Sequence, residues 1–160
     1  MRRILGIDQA RTTGWCVWDQ KSDSTSWGIW KLKGANHAIQ MEQLLDEIIA
    51  QQPTTIGCEA PMWSRAINRK GAEFRLKLIA MIELASHRLD APLQIYHPAT
   101  IKKWLTGYGR ADKSQMIQHI ARRFDIITDD DNVADAAAIM YMTKENFNVE
   151  TSSGNKNKKR

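Results

Sequence analysis

Two short apolar runs in this sequence each end in a single acidic residue. Residues 4–7 precede Asp8, and residues 55–58 precede Glu59. Apolar runs of this length are typical of buried strands, and ligand sites in open α/β sheets form at the ends of strands. The sequence therefore predicts two central strands, each presenting one carboxylate at its end.

The order of the other predicted elements indicates a mixed sheet. Turn residues separate strands at 2–8, 14–20 and 25–31, which form an antiparallel meander. A helix capped by Asn36 comes next and ends near residue 52, and a strand at 55–59 and a basic loop at 61–71 follow it. A long helix then extends to about residue 89, before a strand at 92–96 and a short helix at 97–105. The last two elements are a helix at 113–124, which begins with a capping box of Asp112 and Gln115, and an Ala-rich helix at 134–143. We predict an α/β fold with a mixed five-stranded sheet, three antiparallel strands then parallel strands, flanked by helices.

Length and charge limit the class of protein. The 160 residues fit one domain, which we place at residues 1–147. Residues 148–160 are expected to be a flexible basic C-terminal tail, either a solubilising end or an arm that contacts DNA. The net charge of +5 favours a polyanionic partner, most simply nucleic acid.

The sequence also bears on compartment. No apolar run approaches the length that spans a bilayer, so we expect a cytoplasmic protein without a membrane partner. Cys16 and Cys58 lie in apolar runs and are expected to be buried thiols rather than a disulfide.

An acidic cluster precedes and opens the last predicted helix. Asp131 lies four residues before Asp135 and Asn132 lies three before it, so either pair shares a face. Together with Asp8 and Glu59 they offer the oxygen ligands that Mg²⁺ prefers. Two such ions about 3.5–4 Å apart bind the attacking water and the leaving oxygen of a phosphodiester. In the alternative, Asp8 only caps a turn and the acidic run is only a helix cap.

Basic and apolar residues near these acids predict a nucleic-acid interface. Lys113 begins a helix, where backbone N–H groups favour phosphate, and one of Lys102, Lys103 and Lys113 is expected to stabilise charge at a scissile phosphate or to position it. Arg65, Arg69 and Lys70 are the better candidates for phosphate contacts, because their loop directly follows Glu59. Met62 and Trp63 either wedge between bases or pack on the sheet. Alternatively, the lysines are ordinary solvent-exposed side chains without a functional role. The predicted nucleic-acid contacts are Met62, Trp63, Arg65, Arg69, Lys70, Lys102, Lys103, Arg110 and Lys113.

Three segments carry a family resemblance. Residues 6–14 read GIDQARTTG, residues 109–115 read GRADKSQ, and residues 131–136 read DNVADA. In order and spacing they are similar to motifs of the RuvC family of Holliday-junction resolvases, within the RNase H-like superfamily. Glu59 falls at the matching strand end, and the resemblance covers about residues 2–145.

The resemblance implies a fold, an activity and an assembly. The fold is RNase H-like, and the activity is Mg²⁺-dependent nicking of opposed strands at a four-way junction, with two ions per site and Mn²⁺ as a substitute. The homodimer forms through the long helix at about residues 71–89. Carried over by position, the metal ligands are Asp8, Glu59 and Asp135, the active-site lysines are Lys113 and Lys102, and Met62 or Trp63 is the wedge.

The sequence departs from the family pattern at two places in these motifs. Gln9 and Ala10 replace the usual Pro-Gly, and Asn132 replaces an acid. Either Asn132 itself or Asp131 then completes the ligand set, so the expected catalytic set is Asp8, Glu59, Asn132, Asp135 and Lys113.

These departures leave several functions open. The loop after Glu59 is unlike that of the cellular enzymes, which suits a phage-encoded relative that acts on other branched DNA as well, in a bacterial cell or a phage-infected host. The alternatives are a catalytically weak module that binds branched DNA and a YqgF-like nuclease that processes RNA. An actin-like half domain is disfavoured because the chain is too short for two lobes.

Overall fold

The fold is a five-stranded sheet covered by helices on both faces. A computed structural model describes residues 1–61 and 69–154, with side chains up to residue 148. The elements are β1 (Arg3–Asp8), β2 (Thr12–Asp19), β3 (Ser24–Lys31), α1 (His37–Gln51), β4 (Thr55–Glu59), α2 (Arg69–Leu89), β5 (Leu93–Tyr96), α3 (Pro98–Thr106), α4 (Lys113–Phe124) and α5 (Asp131–Gly154).

The sheet has the order β3-β2-β1-β4-β5. Strands β1, β2 and β3 pair antiparallel, whereas β4 pairs parallel with β1 and β5 pairs parallel with β4. The predicted fold class is confirmed. Because β1 and β4 run in the same direction in the middle of the sheet, their carboxyl ends lie side by side.

Alternation along the strands divides the core into two layers. Leu5 and Ile7 of β1 pack with α1 and α2. Ile4 of the same strand packs with α3, α4 and α5. Cys58 belongs to the first layer and Cys16 to the second, and both are free thiols. The prediction of buried thiols is confirmed, and the sheet itself separates them.

Helix α5 lies directly on three strands because each carries a glycine beneath it. A methyl group at Gly6 of β1 would collide with the backbone of Ala136 and with Met140. One at Gly14 of β2 would collide with the backbone of Asn132, and one at Gly57 of β4 with the side chain of Thr143. This close approach brings the first turns of α5 to the end of β1.

The capping interactions predicted at the start of two helices are confirmed. The side chain of Asn36 accepts a hydrogen bond from the Ile39 N–H at 3.1 Å at the start of α1. Asp112 and Gln115 form a reciprocal capping box at the start of α4, with both hydrogen bonds at 2.9 Å.

Two predicted boundaries are wrong. Arg69 and Lys70 were expected in a loop at 61–71 but begin α2, where Arg69 forms an ion pair with Glu73 one turn later, at 3.1 Å. The last helix was expected at 134–143 but runs from Asp131 to Gly154.

The extra length of α5 depends on contacts of polar residues with other elements. The ammonium of Lys144 lies 3.6 Å from the centre of the Trp18 ring, and Glu145 accepts a hydrogen bond from Trp104 at 2.8 Å. The predicted tail, residues 148–160, thus begins inside a helix, and its residues 155–160 lie outside the described part of the chain. None of the helices in the described ranges is long and apolar enough to cross a membrane.

The contact between α5 and the glycines predicts a stability change. We expect Gly6→Ala to lower the free energy of unfolding by about 3 kcal/mol, because the new methyl group meets helix backbone, which cannot rotate away. Chemical denaturation measures this. Gly109→Ala is the control, because its methyl group would lie 3.2 Å from the nearest atom, the Ala99 carbonyl oxygen, and would need a shift of only a few tenths of an ångström. Equal losses in both variants would contradict the packing argument.

Candidate active site

Five acidic or amide side chains from three elements line one cavity. Asp8 ends β1, Glu59 ends β4, and Asp131, Asn132 and Asp135 occupy the first turns of α5. The cavity measures about 220 Å³. The structure thus brings together the whole predicted ligand set, from the beginning, middle and end of the chain.

Burial and mutual repulsion make this cavity electrostatically costly. Burial, and then the nearby charges of Asp135 and Glu59, raise the pKa of Asp8 well above its usual range. Burial likewise raises the pKa of Glu59 to about 7 and that of Asp135 to about 6. Carboxylates that repel one another inside a protein favour a bound cation, which would relieve both the burial and the repulsion.

The donor atoms of the cavity fit a hard divalent cation. They are carboxylate oxygens and the amide oxygens of Gln9 and Asn132, with no sulfur or imidazole among the described residues that line the cavity. Among the described His, Cys, Asp and Glu residues, no three lie close enough together to bind one ion. An ion here would therefore keep several waters, as Mg²⁺ commonly does in proteins.

The start of α5 fixes the two candidates for the replaced acid in different ways. Asp130 accepts hydrogen bonds from the backbone N–H and the side-chain amide of Asn132, both at 2.9 Å. This orients the Asn132 amide and leaves its carbonyl oxygen as the atom that can ligate. Asp131 forms an ion pair with Lys113.

The predicted lysines differ in their relation to the cavity. Lys113 lines it, and its hydrogen bond to Asp131 raises the pKa of Lys113 above its usual range. Lys102 acts at longer range, where its positive charge opposes the rise in the pKa values of Glu59 and Asp135.

The other predicted nucleic-acid contacts lie away from this cavity or outside the described residues. Arg69, Lys103 and Arg110 do not line it, and Lys70 lines a larger neighbouring cavity. Met62, Trp63 and Arg65 lie outside the described residues.

Two lining residues were missed by sequence reasoning. Arg75 of α2 lines the cavity and opposes the rise in the pKa values of Asp8 and Glu59. Gln9 is 8% exposed, and its side-chain amide pairs with the backbone of Glu59. The Gln9 Nε2 donates to the Glu59 carbonyl, and the Glu59 N–H donates to Gln9 Oε1 at 3.3 Å.

The Gln9 pairing prolongs the contact between β1 and β4 by one residue. The backbone register of these strands reaches Ile7 and Cys58. Beyond that point the Gln9 amide takes the place of a backbone amide. The pairing therefore fixes Glu59 relative to Asp8. The only signal in the sequence was that Gln9 stands where proline was expected, since proline has no such side-chain amide.

Comparison with known proteins gives consistent results. A family model described as crossover junction endodeoxyribonuclease RuvC matches residues 4–143. The enzyme of that name from Rickettsia prowazekii (strain Madrid E) is 29% identical over 149 residues, which are 86% of this chain and 94% of that protein. The one from Carboxydothermus hydrogenoformans is 36% identical over 102 residues, which are 62% of this chain and 63% of that protein.

A solved structure shares the fold. Thermus thermophilus RuvC in complex with a Holliday junction substrate has a TM-score of 0.75 at 16% identity, covering 92% of this chain and 97% of that chain. The strand order and the flanking helices place the chain in the class of RNase H-like folds. Within that class, the chain belongs to the RuvC family of crossover junction endodeoxyribonucleases.

The buried acids predict how stability depends on pH. Because the folded-state pKa of Glu59 is raised from 4.5 to about 7, the native state binds the proton more tightly than the unfolded state. The metal-free protein therefore loses stability as the pH rises from about 4.5 to about 7. We expect Glu59→Gln to raise the melting temperature in chelator by roughly 4–8 °C at pH 8 and to change it little at pH 5. An equal change at both pH values would contradict this origin.

The Gln9 pairing predicts a change in metal binding. Gln9→Met keeps the volume but leaves the Glu59 N–H and carbonyl without these partners, so we expect Mn²⁺ to bind about 10-fold more weakly by calorimetry. Gln40→Met is the matched control, because Gln40 is also buried and donates to a backbone carbonyl, that of Gly34 at 3.1 Å. An equal loss in both variants would mean that Gln9 acts only through general stability.

Proposed function

We propose that this chain is a Mg²⁺-dependent, structure-selective endodeoxyribonuclease that nicks opposed strands of Holliday junctions. The observation that carries the proposal is the convergence of Asp8, Glu59 and Asp135 on one cavity in a chain of the RuvC family. The Thermus relative has been solved in complex with a Holliday junction substrate, and we extend this substrate to the present chain.

The metal would be held by oxygen atoms at the ends of the strands and the start of α5. Asp8, Glu59 and Asp135 are the proposed ligands, divided between two ions so that neither ion takes all three acids, with Asn132 contributing its carbonyl oxygen. A metal bound by these residues would act as a Lewis acid toward the attacking water and the leaving oxygen of the phosphodiester. We propose two Mg²⁺ ions per site, with Mn²⁺ able to replace them.

Lys113 is proposed to act on the scissile phosphate. Its side chain is mostly exposed and lies at the edge of the cavity, held there by Asp131. An ammonium in this position offsets negative charge that develops on the phosphate oxygens. Asp131 is therefore proposed to position Lys113, and Asn132 rather than Asp131 to be the fourth ligand.

Paired nicking requires two active sites, and α2 is the proposed dimer interface. Most of its apolar stripe is already buried within the chain, with Phe74, Leu78, Ile82 and Ala85 in the core. Leu76 lies on the outer face and is 41% exposed. A partner helix is proposed to cover this outer face, which would place two active sites in one assembly.

Other branched DNA is a proposed substrate beside four-way junctions, and the cytoplasm is the proposed location. The second candidate function is a module that binds junctions without cutting. It is favoured by one observation, namely that the ligand set contains the amide Asn132 in place of an acid. A cleavage assay separates the two candidates.

We expect the wild-type chain to nick a synthetic mobile four-way junction at symmetric positions in Mg²⁺ or Mn²⁺ and to bind without cutting in chelator. Glu59→Gln should lower the single-turnover rate by at least about 1,000-fold while leaving the dissociation constant within about 3-fold, because it removes a metal ligand but no phosphate contact. Denaturing gels and gel shifts provide the two measurements.

Glu42→Gln on the exposed face of α1 is the control for loss of one carboxylate. Nicking by Glu59→Gln at the wild-type rate would remove Glu59 from the ligand set. Binding without nicking by the wild-type chain, in either metal, would favour the second candidate function.

A further inference from the structure

A second and larger cavity adjoins the metal site. It measures about 720 Å³ and lies between the turn after β1, the start of α1 and the start of α2. Ala10 and Arg75 line both cavities. The two cavities therefore adjoin at these residues, so a chain molecule held in the larger cavity would extend toward the smaller one.

The charges of the two cavities are opposite. The smaller one is lined by four carboxylates, which outnumber its two cations, Arg75 and Lys113. Among the described residues, the cations that line the larger cavity are Arg11, Lys70 and Arg75, and the one carboxylate, that of Glu73, pairs with Arg69 at 3.1 Å. We call this larger cavity the basic cleft.

The ring of Phe74 helps to fix Arg11, which lies in the turn after β1, whereas Lys70 and Arg75 belong to α2. The guanidinium of Arg11 lies 5.2 Å from the centre of the Phe74 ring, and the His37 ring lies 4.9 Å from the same centre. Phe74 is 7% exposed and cannot easily move, so its ring helps to hold the guanidinium in place, while Arg11 itself is exposed and available for hydrogen bonds.

We propose that the basic cleft binds the phosphodiester backbone of the DNA strand next to the scissile phosphate, with Arg11 contacting one phosphate directly. This rests on the proposed function, since it names the path of the substrate into the same site. Opposite charge favours this occupant, because Arg and Lys side chains neutralise phosphates and displace their counterions. Continuity favours it too, because a strand in the cleft leads past Arg75 to the acids.

The positive charge of the basic cleft also offsets the repulsion between the acidic cavity and DNA. Several carboxylates repel an approaching phosphate until cations are bound, so binding of DNA in the absence of metal must depend on positive charge elsewhere. The basic cleft supplies that charge at the border of the cavity. Loss of Arg11 should therefore affect DNA binding in chelator, where the acids contribute no attraction.

The first measurement is the affinity of the full-length chain for a four-way junction in chelator, as a function of salt. Arg11→Met is expected to weaken binding at every salt concentration and to reduce the slope of log K against log salt by about one. Arg2→Met is the matched control, because Arg2 also lies over a phenylalanine, 4.7 Å from the Phe147 ring centre, but at the opposite end of β1. The control should keep the wild-type slope.

The second measurement locates the phosphate. Single methylphosphonates, which lack the charge, are placed at each position within a few nucleotides of the cut. For the wild-type chain, one or two positions should weaken binding. Arg11→Met should be insensitive at one of them, as expected when both changes remove the same contact.

Different results would overturn the basic cleft and the proposed function. An unchanged salt slope for Arg11→Met, or additive losses with every methylphosphonate, would overturn the basic cleft as a DNA site. A shift in dimer dissociation by Arg11→Met, with unchanged slope, would instead make the cleft a contact between copies of this chain and would also overturn the proposal. Absence of nicking by the wild-type chain would overturn the proposed function and leave these binding results intact.

Discussion

The contact between α5 and the bare backbone of β1, β2 and β4 is the constraint on which the site depends. Helices usually pack on sheets through layers of side chains, but Gly6, Gly14 and Gly57 remove that layer here. The result is that Asn132 and Asp135 approach Asp8 closely enough to line one cavity with it. Any side chain at these glycines would lift the helix and widen the cavity. The position of the acids is therefore set by packing a few residues away from them, since the carboxylates themselves repel one another.

That repulsion explains why the surroundings of the cavity are so strongly fixed. Four carboxylates line a small, largely buried space, and burial raises the pKa values of three of them. Left alone, such a group would favour local opening. The Gln9 amide opposes this by joining the ends of β1 and β4, and Asp130 opposes it by fixing the start of α5. The acids thus lower stability in the absence of metal, and hydrogen bonds made by the Gln9 and Asn132 amides hold the backbone on either side of them.

Much of the fold was predictable because its signals are local. The five strands, the Asn36 cap and the Asp112–Gln115 capping box each follow from residues adjacent in sequence. The acids at the ends of β1 and β4 are predictable in the same way, because each directly follows an apolar run. Arg75 and the basic cleft could not be predicted, since they depend on how α2 packs beside the turn after β1. The true length of α5 was also hidden, because Lys144 and Glu145 look like solvent-exposed residues until Trp18 and Trp104 are placed beside them.

The proposed arrangement separates attraction from chemistry. An acidic cavity is suited to hold cations but not to collect a polyanion, whereas the basic cleft is suited to collect a polyanion but has no group that cleaves it. Because Ala10 and Arg75 border both, DNA bound in the cleft would reach the acids without a rearrangement of the sheet. Binding would then respond chiefly to salt and cleavage chiefly to metal. A chain built in this way can associate with DNA at many places and still cut only where a junction bends a phosphate into the cavity, because phosphate contacts alone carry no information about shape or sequence.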